Sequence, residues 1–111
     1  MTTITVFYRG SRVEGFNAKG HSGFDEAGED IVCAAVSALT QTAYLGLERY
    51  LGSPTKVYQK DGELRISLPE GLSPEDEERA ELILGTMLLG LRSVEENYSD
   101  YLKIVKKEVK A

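Results

Sequence analysis

Lys56-Val57-Tyr58-Gln59-Lys60-Asp61-Gly62-Glu63-Leu64-Arg65-Ile66-Ser67-Leu68 reads as two strands folded back on each other at Asp61-Gly62. That dipeptide favours a two-residue type I′ turn, which matches the twist of paired strands. With Asp61-Gly62 as the loop, Val57 pairs with Ile66 on the buried face and Lys60 with Glu63 at the tip. A hairpin in the middle of the chain makes an antiparallel sheet the organising layer. Just before it, Gly52-Ser53-Pro54 stops a helix, since glycine caps a helix end and proline cannot continue one. That helix is expected over about residues 31–51. Val32, Ala35, Val36, Leu39, Ala43, Leu47 and Tyr50 recur there at three- and four-residue spacing as a core stripe. Ala34, Ala38 and Leu45 on its other faces predict burial on more than one side. Just after the hairpin, Ser73-Pro74-Glu75-Asp76 opens a second helix: serine caps, proline fits the first helical position, and the acids complement the dipole. Ala80, Leu84, Met87, Leu91, Val94 and Tyr98 form its inner stripe. Gly85 and Gly90 each cost helix stability, which predicts close packing against another element.

Toward the N-terminus, Ile4, Val6 and Tyr8 alternate with Thr3, Thr5 and Phe7 at the period of a strand. Gly10-Ser11 supplies a turn, and residues 13–18 form the return strand. In that register Tyr8 faces Val13 and Val6 faces Gly15, which leaves Phe7 and Phe16 on the opposite side of the sheet. The tail at residues 101–105 reads as a last strand or a frayed helix, with the strand favoured. The order is β-β-α-β-β-α-β, an α+β fold with a largely antiparallel sheet packed on helices. No repeat, low-complexity tract or long linker divides the chain, so residues 1–111 are expected to form one domain.

Composition narrows the function classes. Apolar residues make up 41% of 111 residues, an ordinary globular share. No apolar run is read as approaching the ~20 residues of a membrane span, and no signal segment precedes the first strand. A single cysteine makes no internal disulfide, which suits a reducing cytosol. The net charge of −5 argues against direct binding of nucleic acid and suits a basic partner. The glycines form no nucleotide-binding pattern, and one histidine with one cysteine makes no structural zinc site without carboxylates, so no metal is expected.

The chemistry gathers in Gly20-His21-Ser22-Gly23-Phe24-Asp25-Glu26-Ala27-Gly28-Glu29-Asp30-Ile31-Val32-Cys33-Ala34-Ala35-Val36-Ser37, which holds the chain's only histidine and only cysteine. With Asp30 as N-cap, Ile31, Val32 and Cys33 occupy the first helical turn. The unpaired N–H groups there favour a thiolate and would hold an oxyanion. Cys33 shares a helical face with Ser37, Thr40 and Tyr44, and a neutral His21 on the facing loop accepts the thiol proton. Gly20, Ser22, Gly23, Phe24 and Gly28 belong to a loop that would close over a substrate. Duller readings stand beside these. A cysteine among alanines also serves as a small buried hydrophobe, Asp30 as a helix cap only, and Ser37 as a group bonded back to its own helix.

Gly20-His21, then Gly28, then Asp30-Ile31-Val32-Cys33-Ala34-Ala35-Val36-Ser37 closely resembles the ribosomal-processing cysteine protease family (Prp). The His-to-Cys spacing, the Asp-Ile-Val-Cys-Ala core and the serine after it all agree, and the hairpins, helices and chain length fit as well. The resemblance implies a cytoplasmic α+β homodimer that uses a Cys/His dyad and needs no cofactor. It implies removal of a short N-terminal extension from a large-subunit ribosomal protein, number twenty-seven. Carried over by position, Cys33 is the nucleophile, His21 the general base, and Asp30 and Ser37 have supporting roles. An acidic loop beside the site suits a basic ribosomal protein by steering it. The alternative is a non-enzymatic ribosome-associated binding or assembly protein in which Cys33 is structural.

Overall fold

The computed structural model describes residues 1–20 and 27–109, with the backbone alone for residues 27–30. Thr2–Arg9 (β1) and Arg12–Lys19 (β2) form one hairpin, and Lys56–Lys60 (β3) and Glu63–Ser67 (β4) form the other. Leu102–Glu108 (β5) completes a five-stranded sheet in the order β3-β4-β2-β1-β5. All neighbours are antiparallel except β1 and β5. Each helix is a crossover between strands that run the same way. Ala27–Tyr50 (α1) joins β2 to β3, and Pro74–Asn97 (α2) joins β4 to β5. Crossovers of one hand lay both helices on the same face of the sheet. There, Ile4, Val6, Phe16 and Ile66 of the strands meet Val32 and Leu47 of α1 and Leu84 and Leu91 of α2.

The second hairpin has the register that its turn predicts, with Val57 opposite Ile66 and Lys60 opposite Glu63. Its turn is not type I′, because Gly62 has φ +76° while Asp61 has no positive φ. Val57 is 44% exposed rather than buried, since β3 is the edge strand and is exposed along its whole length. The first hairpin departs from expectation through a bulge between Phe7 and Tyr8. Tyr8 faces Val13, but Val6 faces Phe16 and Phe7 faces Gly15. One extra residue on β2 shifts every later pair by one, so Phe16 turns inward and is fully buried.

Ser73 caps α2 as its sequence predicts, its hydroxyl accepting from the Asp76 amide at 3.1 Å. Ala80, Leu84, Met87 and Leu91 are buried along the inner stripe, joined by Leu88. Gly90 does meet a neighbour, since a Cβ there would lie 3.0 Å from Leu39 Cδ2; Gly85 does not, with nothing within 4 Å. On α1, Val32, Val36, Ala43 and Leu47 form the core stripe, whereas Tyr50 is 62% exposed. Ala34, Ala38 and Leu45 are exposed as well, so α1 is buried on one side only. Its segment Ile31–Tyr50 is long and apolar enough by length and composition to cross a membrane, contrary to expectation. The apolar length has another explanation here, because the inner stripe of this helix forms much of the core under the sheet.

The start of α1 is the correction that matters most. The helix begins at Ala27, not after Asp30, so Gly28 and Asp30 lie within it and Asp30 is not the N-cap. Ala27 and Glu29 are good helix formers, and acids in a first turn are favoured by the dipole, which together carry the helix through Gly28. Cys33 therefore sits in the second turn. Its backbone N–H and those of Ile31 and Val32 are committed to carbonyls four residues back. They are not available to an oxyanion.

Candidate functional site

Cys33 rises from the second turn of α1 over the N-terminal end of β1. Its sulfur lies 3.7 Å from the Thr2 hydroxyl, within reach of an O–H···S or S–H···O bond. Alternation along β1 points Thr2 to the same side as Ile4 and Val6, under the helices, and it is 3% exposed. The Thr2 amide donates to the Tyr101 carbonyl at 2.8 Å, which ties this end of β1 to the chain entering β5. The thiol is only partly buried. It opens on a cleft of about 230 Å³ lined by Thr2, Gly20 and Val36. Ser37, Thr40 and Gln41 of α1 form one wall, and the tip of the second hairpin from Gln59 to Leu64 forms the other.

Local sequence explains how these pieces meet. β2 ends at Lys19, and the amide of the next residue, Gly20, donates to the Gly62 carbonyl at 2.9 Å and so anchors the second hairpin's tip beside the cleft. Gly20 must lack a side chain, because a Cβ would lie 2.7 Å from the Thr2 hydroxyl oxygen. Gly62 is equally constrained, having a positive φ and a would-be Cβ 2.8 Å from the Gly20 carbonyl. The two glycines thus let two strand ends and a turn converge on the thiol.

Ser37 is exposed one helical turn beyond Cys33 and lines the cleft, as expected. Thr40 is buried, and its hydroxyl donates to the Val36 carbonyl at 2.8 Å, which makes it a wall rather than a reactant. Gly28 belongs to α1 rather than to a loop, and Asp30 sits one turn before Cys33 in the same helix. His21, Ser22, Gly23 and Phe24 lie outside the described residues, as does most of the acidic loop; Gly20, which precedes His21, is in the cleft wall. Among the described residues no group of His, Cys, Asp or Glu could hold a metal ion. Thr2 was missed in the sequence, where a threonine at a strand's start carries no signal. Only the fold brings it to a cysteine 31 residues away.

The family model for cysteine protease Prp matches residues 1–103 of the chain. The ribosomal processing cysteine protease Prp of Bacillus subtilis is 32% identical over 95 residues, which is 80% of this chain and 81% of that protein. The crystal structure of an essential ribosomal processing protease Prp from S. aureus, in complex with a substrate peptide, superposes with a TM-score of 0.84. It is 25% identical and covers 96% of this chain and 100% of its own. The same S. aureus protein with a covalently linked product peptide gives a TM-score of 0.81 at 26% identity over the same shares.

Proposed function

The chain belongs to the cysteine protease Prp family and is a cysteine protease, and we propose that Cys33 is its nucleophile and His21 the base that serves it. The observation that carries this reading is the cleft. The chain's only cysteine opens into it, and the residue preceding the only histidine lines its wall. Family membership also supports this reading over a non-enzymatic binding protein with a structural Cys33.

The chemistry is acyl transfer. His21 accepts the thiol proton as the Cys33 sulfur attacks the scissile carbonyl, then gives that proton to the leaving amine. Water hydrolyses the resulting thioester and restores the thiol. The covalently linked product peptide of the S. aureus relative supports a covalent step. With the α1 amides committed, a donor available on the nucleophile's own helical face is the Ser37 hydroxyl, one turn further on. That gives Ser37 its supporting role at the developing oxyanion. Asp30 keeps a supporting role through its place in the same helix. No cofactor is required by any step.

The substrate in this reading is a large-subunit ribosomal protein, number twenty-seven, carrying a short N-terminal extension. The relatives' role in ribosomal processing supports it, and the same role supports a cytoplasmic site of action. The enzyme works as a homodimer. Phe16 gives no support to this, being core. The support lies instead on the outer flank of the helices, where Leu82 is 72%, Leu89 69% and Leu45 64% exposed. An apolar groove of about 470 Å³ runs between α1 and α2 on that flank, and exposed apolar area of this kind usually marks an interface.

Incubation of the extended ribosomal protein with the wild type should release the extension. Cys33→Ala and His21→Ala should each abolish cleavage with an unchanged circular dichroism spectrum, because the two act as one proton-transfer unit. A folded Cys33→Ala variant that still cuts would end this reading.

A further inference from the structure

Charge in this protein is sorted by face. Thr2, Ile4, Val6 and Tyr8 of β1 point to the helices and are buried, so by strand alternation Thr3, Thr5 and Phe7 point to the other face. The registers carry that assignment across the sheet. The face away from the helices then presents Lys19, Lys56, Lys60, Arg65, Lys103 and Lys107, all exposed. The acid within the same rows is Glu63. This is a chain with 18 acidic and 13 basic residues. Nearly half of its cations therefore share one surface whose strand rows hold one acid, Glu63, with Glu14, Glu70 and Glu108 at its edge, while α2 alone carries Glu75, Asp76 and Glu77 in its first turn.

The same face carries planar groups. Tyr58 is 49% exposed on the edge strand, and the Arg65 guanidinium lies over the Phe7 ring, 5.3 Å from its centroid. Beside Phe7 and Arg65 the surface dips over Gly15, which carries no side chain and against whose backbone the Ile66 carbonyl packs. The depression holds about 510 Å³ and is edged by Phe7, Arg65, Lys56 and Lys107. Glu14, Glu70 and Glu108 stand at its far rim. Of these, Glu14 is paired with Arg9 at 2.9 Å and Glu108 accepts from the Gly10 amide at 2.8 Å.

We propose that this outer sheet face binds single-stranded RNA. An open cationic sheet suits a polyanion. Rings and a guanidinium plane beside an unfilled depression suit unstacked bases, which stack on such groups without demanding a sequence. An acidic polypeptide would use the cations and leave the planar groups idle. Duplex RNA would present no base face to them. Net charge argued against nucleic acid because a sum carries no direction; the fold separates a basic sheet face from acidic helices. A ribosome-processing enzyme so built can hold RNA on one side and meet a basic protein from the other. The proposal does not depend on which residues perform catalysis.

The test is fluorescence anisotropy of a labelled single-stranded oligouridylate with the full chain. Binding should weaken steeply with salt: with about four phosphates neutralised, a rise from about 50 to about 200 mM should cost roughly 50-fold in affinity. Lys56→Glu/Lys107→Glu should lose binding, the milder Lys56→Gln/Lys107→Gln should reduce it, and Arg92→Glu on α2 should leave it unchanged. Tyr58→Ala should weaken it at least about fivefold through lost stacking. Cleavage of a short peptide should be the same in all of these variants. The proposal is overturned by absence of binding at low salt, or by binding that the charge reversal leaves intact. It is equally overturned if polyglutamate or duplex RNA binds as well as the single strand.

Discussion

Thr2 shows how a single hydroxyl acquires a role from its surroundings. It is almost wholly buried, 3.7 Å from the Cys33 sulfur, and occupies the space that Gly20 leaves open. Bonded to the sulfur, it would steady the nucleophile's rotamer. Thr2→Val keeps the shape and removes the donor. Its alkylation by iodoacetamide near neutral pH should be about fivefold slower, the worth of roughly 1 kcal/mol of hydrogen bond, while Thr2→Ser should keep most of the rate. An unchanged alkylation rate for Thr2→Val would show the contact to be packing alone. Gly20→Ala should be worse than either, because the added methyl meets the same hydroxyl at 2.7 Å.

Among the elements, the two helices are joined end to end by Asp76. Its carboxylate accepts from the Gly52 amide at 2.9 Å, just past the end of α1, and pairs with Arg79 at 2.7 Å. The Gly52 amide and then Arg79 hold its pKa below the ordinary aspartate value. A folded-state pKa lower than the unfolded one stabilises the fold above the unfolded pKa, near 4, and that share is lost as pH falls through the folded value. Asp76→Ala should therefore melt earlier than the wild type at neutral pH, with the gap narrowing in acid. Glu48 is lowered in the same sense by its bonds from the Thr55 hydroxyl and amide. The glycines of α2 offer a sharper contrast. Gly85→Ala meets nothing and should stabilise by about 0.5–1 kcal/mol through helix propensity. Gly90→Ala has the same propensity gain, but its methyl forces Leu39 aside. Thermal melts should rise for the first and not for the second.

At the level of the whole molecule, one face of the sheet is covered and the helices' outer flank is not. Leu82→Glu/Leu89→Glu places charge on that exposed flank without touching the core, since both side chains point outward. Light scattering at micromolar concentration should give a dimer for the wild type and a monomer for this variant. A wild-type monomer would remove the assembly from the proposed function while leaving the cleft's chemistry as it stands.

The register of the hairpin at Asp61-Gly62, the Ser73 cap, the inner stripe of α2, the last strand and the cysteine's place on the cleft face of α1 were all legible in the chain itself, although its turn within that helix was not. Each follows from forces that act over a few residues: a two-residue turn sets register, a hydroxyl meets an amide three positions on, and apolar spacing repeats with the element's own period. The bulge that turned Phe16 inward and the meeting of Thr2 with Cys33 were not. Nor was the separation of charge between sheet and helices. These depend on which distant segments come into contact, and the energy that decides them lies in packing and direction. Only the tertiary structure supplied those directions, placing a thiol over the end of β1 and the cations on one open face.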